Sequence, residues 1–231
     1  RKANRWALYV VFLILIFTVI VPIANNQCIS MPEYRKAITK EEVNTLPIYR
    51  FTGRVHLISS VEAAEKAESF FTDEKIYGLD TETKPVFKKG VFHPVSLLQI
   101  ANEEEVFIFR LKRTGLPDYI ISLLENKNIV KAGIDLLRDI KELGDYASFN
   151  AQSIIDLNAM AKKLGFESVG AKKLSALLYG QRISKSQQTS NWETPILSKE
   201  QITYAATDAI ISRKIYVKLK SLQDAAHLQG K

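Results

Sequence analysis

The sequence predicts an α/β domain, a mixed β-sheet flanked by helices. Apolar runs of strand length, bounded by Gly, Asn and charged residues, recur at 76–82, 95–100, 105–109 and 128–133. Runs of helical spacing stand between and after them, at 61–71, 115–125, 136–144, 156–164, 172–178 and 199–222. Strands gathered early, one further strand between helices, and helices closing the chain make a layered arrangement and not a barrel.

Taken in order, residues 7–24 (Ala-Leu-Tyr-Val-Val-Phe-Leu-Ile-Leu-Ile-Phe-Thr-Val-Ile-Val-Pro-Ile-Ala) carry no charge. As a helix rising ~1.5 Å per residue they reach about 27 Å, close to a ~30 Å hydrocarbon core. Arg1, Lys2 and Arg5 precede the run, and Trp6 sits at an interfacial level. Residues 1–24 are therefore expected to be a single-pass membrane anchor, with a cleaved signal segment or an apolar first helix as alternatives. The expected localisation is a membrane where the segment is retained and the cytoplasm otherwise. Residues 25–50 read as a linker with a short helix, which Thr39 caps and Glu42 completes as a capping box.

The globular domain is expected over 51–222. Arg54-Val55-His56-Leu57-Ile58 reads as an edge strand. Ser59 or Ser60 then caps the helix over 61–71, where Ala63, Ala67 and Phe70 share a face. After strand 76–82, Lys84-Pro85-Val86-Phe87-Lys88-Lys89-Gly90 is a basic loop bounded by Pro and Gly. Asn102-Glu103-Glu104 joins 95–100 to 105–109 as a hairpin. Beyond the helix over 115–125, strand 128–133 and the helix over 136–144, a short strand is expected near 153–155. Asp156 suits a helix cap, and Gly165 and Gly180 end the helices before them. Ser184 to Asn191 is a polar stretch, a solvated connection by default and a candidate substrate-facing loop by position; 199–222 is the last long helix, and 223–231 are a tail.

Composition narrows the function classes. Lys and Arg total 32 against 25 acidic residues, a formal charge of +7 that favours polyanionic partners or an anionic surface. A single cysteine, Cys28, excludes an intrachain disulfide framework. His56, His93 and His227 lack the spacing of a zinc site.

The chemistry gathers at Gly78-Leu79-Asp80-Thr81-Glu82. Strand side chains alternate, so Asp80 and Glu82 face the same way. Like charges held side by side repel, and a bound cation is the simplest compensation. Asp135, Asp139, Asp145, Asp156 and Asp208 are the further acids available. Asp135 and Asp139 compete for one position, and Asp139 lies among the apolar helix positions Leu136, Ile140 and Leu143. Tyr204 and Asp208 form an i,i+4 pair separated by Ala205, Ala206 and Thr207, and the small alanines permit close helix packing.

Asp80-x-Glu82, Asp139-x-x-x-Leu143 and Tyr204-x-x-x-Asp208, in this order, resemble the three motifs of the DEDDy 3′–5′ exonuclease superfamily. Within it the chain is similar to the ribonuclease D / Werner-type exonuclease domain. Val95-Ser96-Leu97-Leu98-Gln99-Ile100, Ile155-Asp156-Leu157, Ser190-Asn191-Trp192-Glu193 and Tyr204-Ala205-Ala206-Thr207-Asp208-Ala209 carry the likeness over roughly Leu57 to Leu222. Gly170-Ala171 stands where the family usually has Ser-Leu.

The resemblance implies a ribonuclease-H-like fold, a nucleic-acid 3′ end as partner, and two Mg²⁺ or Mn²⁺ ions held by Asp80, Glu82, Asp139 and Asp208. It implies that Asp80 bridges the ions, that Glu82 and Asp208 bind the one that activates water, and that Asp139 acts partly through coordinated water. Tyr204 would orient that water, and the product would be a nucleoside 5′-monophosphate. Leu79, Thr81 and Leu98 are candidates for shaping the cleft at the terminal nucleotide; Lys84, Lys88, Lys89, Arg182, Lys185 and Trp192 are candidates for phosphate or base contacts. Solvated loop charge and helix packing are the plainer readings of those last six. A catalytically inactive nucleic-acid-binding module is the alternative function.

Overall fold

The computed structural model of the chain describes residues 34–72, 74–88 and 90–229. Among them eight strands form two sheets: β1 (Ile48–Tyr49), β2 (Arg54–Ile58), β3 (Ile76–Thr83), β4 (Val95–Ala101), β5 (Glu105–Arg110), β6 (Val130–Gly133), β7 (Ile154–Asp156) and β8 (Arg182–Ile183). The helices are α1 (Lys40–Thr45), α2 (Val61–Ala67), α3 (Leu111–Thr114), α4 (Asp118–Glu125), α5 (Leu136–Leu143), α6 (Leu157–Lys163), α7 (Ala171–Tyr179) and α8 (Lys199–Gln229). The main sheet has the order β2-β5-β4-β3-β6-β7. β4 is antiparallel to both its neighbours, β3 and β5, while β2 on β5, β6 on β3 and β7 on β6 are parallel. The expected mixed sheet, its hairpin and the edge position of 54–58 are all present.

Every residue of β4 is buried, because helices cover both faces of the sheet. One face carries Leu79, Leu98, Ile100, Phe107 and Phe109, which join Ile120 and Leu124 of α4 and Leu136 and Leu143 of α5 in one core. The alternate residues Leu97, Ala101, Val106 and Ile108 face Ala205, Ala206, Ala209 and Ile210 of α8. The two-residue period of the strands thus separates two cores.

Local chemistry fixes the ends. Thr39 and Glu42 form the capping box of α1. Ser60 accepts from the Ala63 amide and Asp156 from the Ala159 amide, as caps of α2 and α6. Gly180 ends α7 at φ 63°. Three helix lengths differ from expectation. The stretch 61–71 leaves the α-helix at Ala67 for a 3₁₀ turn, Glu68–Phe70. The helix expected over 115–125 starts at Asp118, because Gly115 ends α3 at φ 65° and Pro117, without an amide proton, suits an initiating position. The last helix runs on to Gln229: no Gly or Pro interrupts 223–229, and Lys220 pairs with Asp224 one turn on. The two-residue strands β1 and β8, paired in parallel, are too short to show a period in the sequence.

The membrane expectation is corrected here. No helix among the described residues is long and apolar enough to cross a membrane. Residues 7–24, on which the anchor rested, lie outside the described residues. With no membrane-spanning element found, the membrane partner and the single-pass localisation lose their support.

Candidate active site

Strand β3 supplies the first two acids. Its residues Tyr77 and Leu79 point into one core, so Asp80 and Glu82 lie on the other face, beneath α8. That helix rests directly on the strand at Gly78. A Cβ there would sit 2.1 Å from the Ala209 carbonyl oxygen and 2.6 Å from the Arg213 nitrogen. Only the missing side chain of Gly78, with Ala205, Ala206 and Ala209 above, allows so close an approach. The approach carries Asp208 onto the strand acids. Ligand oxygens of Asp80, Glu82 and Asp208 all lie within 4.8 Å of one another.

The cluster is electrostatically strained. Burial, then the charges of Asp208 and Asp139, push the Asp80 carboxyl well above the usual range. Burial and then Asp80 push Glu82 up to about 10. Asp208 rises to about 6 through burial, with Lys185 and Tyr204 pulling it back down. One oxygen of Asp208, Oδ1, is buried without a hydrogen-bond partner. Three crowded carboxylates with an unsatisfied oxygen fit a hard divalent cation, which prefers such ligands.

Asp139, on α5, lies beside this group. It acts on the Asp80 carboxyl and is held by Thr81. Burial raises it to about 7, against the hydrogen bond from Thr81. Its competitor Asp135 is exposed, holds a left-handed backbone at φ 52°, and accepts from the Asn158 side chain at 3.1 Å. Tyr204 faces Asp208 across one helical turn, and burial followed by the Asp208 and Glu82 charges raises its hydroxyl far above the ordinary tyrosine range. A cleft of about 290 Å³ opens over Tyr204 and Asp208, with Arg50, Lys199, Ser184 and Ser186 in its walls.

The other sequence candidates scatter. Lys185 is exposed, and its charge reaches Asp80, Glu82 and Asp208. Lys84 lies 3.7 Å from Glu193, which also binds Lys112 at 2.6 Å. Lys88 is exposed, and Lys89 lies outside the described residues. Arg182 donates to the Leu46 carbonyl at 3.0 Å. Leu79, Leu98 and Trp192 are not brought to the surface: all three are core residues, Trp192 with its ring 5.9 Å from that of Tyr204.

Gln99 is the residue that motif spacing passes over. It stands directly opposite Asp80 in the β3–β4 ladder, fully buried, with neither amide atom hydrogen-bonded. A polar residue inside the run Leu97-Leu98-Gln99-Ile100-Ala101 is the sequence trace it leaves.

A mixed sheet whose central strand gathers acids beneath a closely packed helix defines a metal-dependent phosphoryl-transfer enzyme of ribonuclease-H-like build. Comparison with known proteins sharpens this. Residues 55–223 match the family model described as 3'-5' exonuclease. A 3'-5' exonuclease of Arabidopsis thaliana is 30% identical over 208 residues, covering 83% of this chain and 72% of that protein. The bifunctional 3'-5' exonuclease/ATP-dependent helicase WRN of Mus musculus is 30% identical over 207 residues, 84% of this chain but 15% of that protein. Among solved structures, the Nibbler EXO domain of Aedes aegypti superposes with a TM-score of 0.68 at 24% identity, covering 78% of this chain and 94% of that one. Escherichia coli RNase D gives 0.63 at 20% identity over 73% and 46%; these two likenesses concern the fold. The chain belongs to the 3′–5′ exonuclease family, in its DEDDy superfamily, with an exonuclease domain of the ribonuclease D / Werner type. It is accordingly a metal-dependent exonuclease.

Proposed function

We propose that this chain removes nucleotides one at a time from a DNA or RNA 3′ end, using two Mg²⁺ or Mn²⁺ ions held by Asp80, Glu82, Asp208 and Asp139. The observation that supports it best is the approach of the Asp80, Glu82 and Asp208 oxygens to within 4.8 Å. When bound, such ions supply charge neutralisation at the phosphoryl group and acidify water.

The chain's own residues do the rest. Asp80 lies within reach of both Glu82 and Asp208, and would hold an ion together with either. Asp139 lies beside them, steadied by Thr81. Tyr204 keeps its proton, since burial and the neighbouring acids oppose its ionisation; it therefore orients a water through its hydroxyl and does not act as a base. Lys185 brings a positive charge to the same spot, where the scissile phosphate needs one. A bond forms between a water oxygen and phosphorus as the P–O3′ bond breaks, so the released nucleotide keeps its 5′ phosphate.

Single-stranded DNA and RNA labelled at either end, incubated with Mg²⁺, Mn²⁺ or EDTA, test this. Early release of a labelled 3′ mononucleotide in the divalent-ion arms alone is expected. Internal cuts, or equal cleavage in EDTA, would overturn it.

A further inference from the structure

We propose that the loop joining β3 to β4 is a stacking platform for the single strand upstream of the nucleotide being removed. The proposal rests on the exonuclease reading and extends it to how the polymer is held. Phe87 and Phe92 in this loop are 86% and 90% exposed, more than any other aromatic ring among the described residues. Val86 and Val91 beside them are also exposed. Exposed rings in water gain nothing for the fold, but every nucleobase offers a π-face on which they can stack.

Position and charge choose the occupant. The loop leaves β3 directly after Thr83, the residue following Glu82. A cleft of about 580 Å³ beside it is lined by Thr83, Phe92, His93, Arg138, Glu142 and Asp145 among others. Arg138 immediately precedes Asp139 on α5, and Thr83 immediately follows Glu82 on β3, so the cleft is walled by the two elements that carry these acids. Lys84 and Lys88 flank Phe87 in the chain; Lys88 is open to solvent, while Lys84 lies 3.7 Å from Glu193. Glu142 and Asp145 would repel phosphates, and Glu142 occupies Arg138 at 2.8 Å. The strand is therefore ordered with its phosphates toward the loop lysines and its bases against the phenylalanines. Lysines set among exposed rings suit a polyanion with flat bases better than an apolar protein face.

The test is binding of fluorescein-labelled oligothymidylates, a dinucleotide and a strand of roughly twelve nucleotides, followed by anisotropy in EDTA. The Phe87→Ala/Phe92→Ala protein is expected to bind the longer strand about tenfold or more weakly. Its affinity for the dinucleotide should fall much less. The Phe87→Trp/Phe92→Trp protein should hold the longer strand as wild type does, and Phe87→Leu/Phe92→Leu should not. Equal affinity of wild type and the Ala pair for the longer strand overturns the proposal, as does full recovery in the Leu pair. So does light scattering that shows self-association lost in the Ala pair, which would assign the patch to a second copy. Mononucleotide release with Mn²⁺ is measured separately. Its absence would defeat the exonuclease reading, while the EDTA binding series would still decide the loop.

Discussion

Asp80 and Asp208 are caught between two demands: close approach for a cation, and mutual repulsion when none is bound. Replacing either acid by Asn relieves the repulsion and removes a ligand. Asp80→Asn should therefore lose more than about 100-fold in metal-dependent cleavage, beyond the cost of losing an outer partner of a metal ligand. In EDTA the same protein should melt above wild type; about 1 kcal/mol moves the midpoint by roughly 2–4 °C in a chain of this size. A calorimetric scan reads the second effect, and a midpoint below wild type would show that the acids do not strain the fold. Tyr204→Phe removes only the orienting hydroxyl. It should slow single-turnover cleavage by up to about 100-fold and leave Mn²⁺ affinity unchanged. At this scale the sequence was informative where an acid had no other reason to be there, as in Ala206-Thr207-Asp208-Ala209. Leu79 and Leu98 neighbour the motifs but fill the cores, and Trp192 packs in the interior, the plainer of its two readings. Adjacency along a strand puts alternate residues on opposite faces, so Leu79 and Leu98 turn into the core opposite Asp80 and Gln99, while Thr81, also on the alternate face, reaches Asp139 on α5.

What brings the distant residues together is the seat of α8 on β3. Gly78→Ala would place a methyl 2.1 Å from the Ala209 carbonyl oxygen, a backbone atom that cannot turn aside. Overpacking costs about 1–3 kcal/mol where side chains can adjust, and this contact leaves little to adjust. The helix must lift, and with it Asp208. Gly78→Ala is expected to lose stability and, where it remains folded, to lose Mn²⁺ affinity as well. Unchanged Mn²⁺ affinity in the folded protein would separate the helix seat from the site. Most elements were legible because their caps and breakers are local: Ser60, Asp156 and Gly180 act on their own helix ends. Gly78 was legible only as a residue of the motif, since its reason lies on a helix about 130 positions later, at Ala209. The same holds for β1 and β8, whose pairing joins Ile48 to Arg182 across the chain.

For the whole molecule, cation binding and protonation are linked, and pH separates them. Asp208 near 6 and Asp139 near 7 bind protons in the fold that they would release in the unfolded chain at ordinary carboxylate values. Where the folded state holds more protons, stability falls as pH rises. The contribution of these groups is therefore full below about pH 4, and it declines as pH climbs through 6 and 7. A divalent ion takes the place of those protons and of the one Glu82 holds up to about 10, so its apparent affinity must rise through this window and continue to rise above it. At pH 8, Mn²⁺ at about 100 times its dissociation constant should add about 2.7 kcal/mol, a midpoint increase of roughly 5–10 °C. At pH 5 the same concentration should add far less. The Asp80→Asn protein should show almost no increase at either pH, because the cluster has lost one of its three close carboxylates. A Mn²⁺ shift of equal size at pH 5 and pH 8 would mean that the ion binds elsewhere, since no group at another site need give up a proton to receive it.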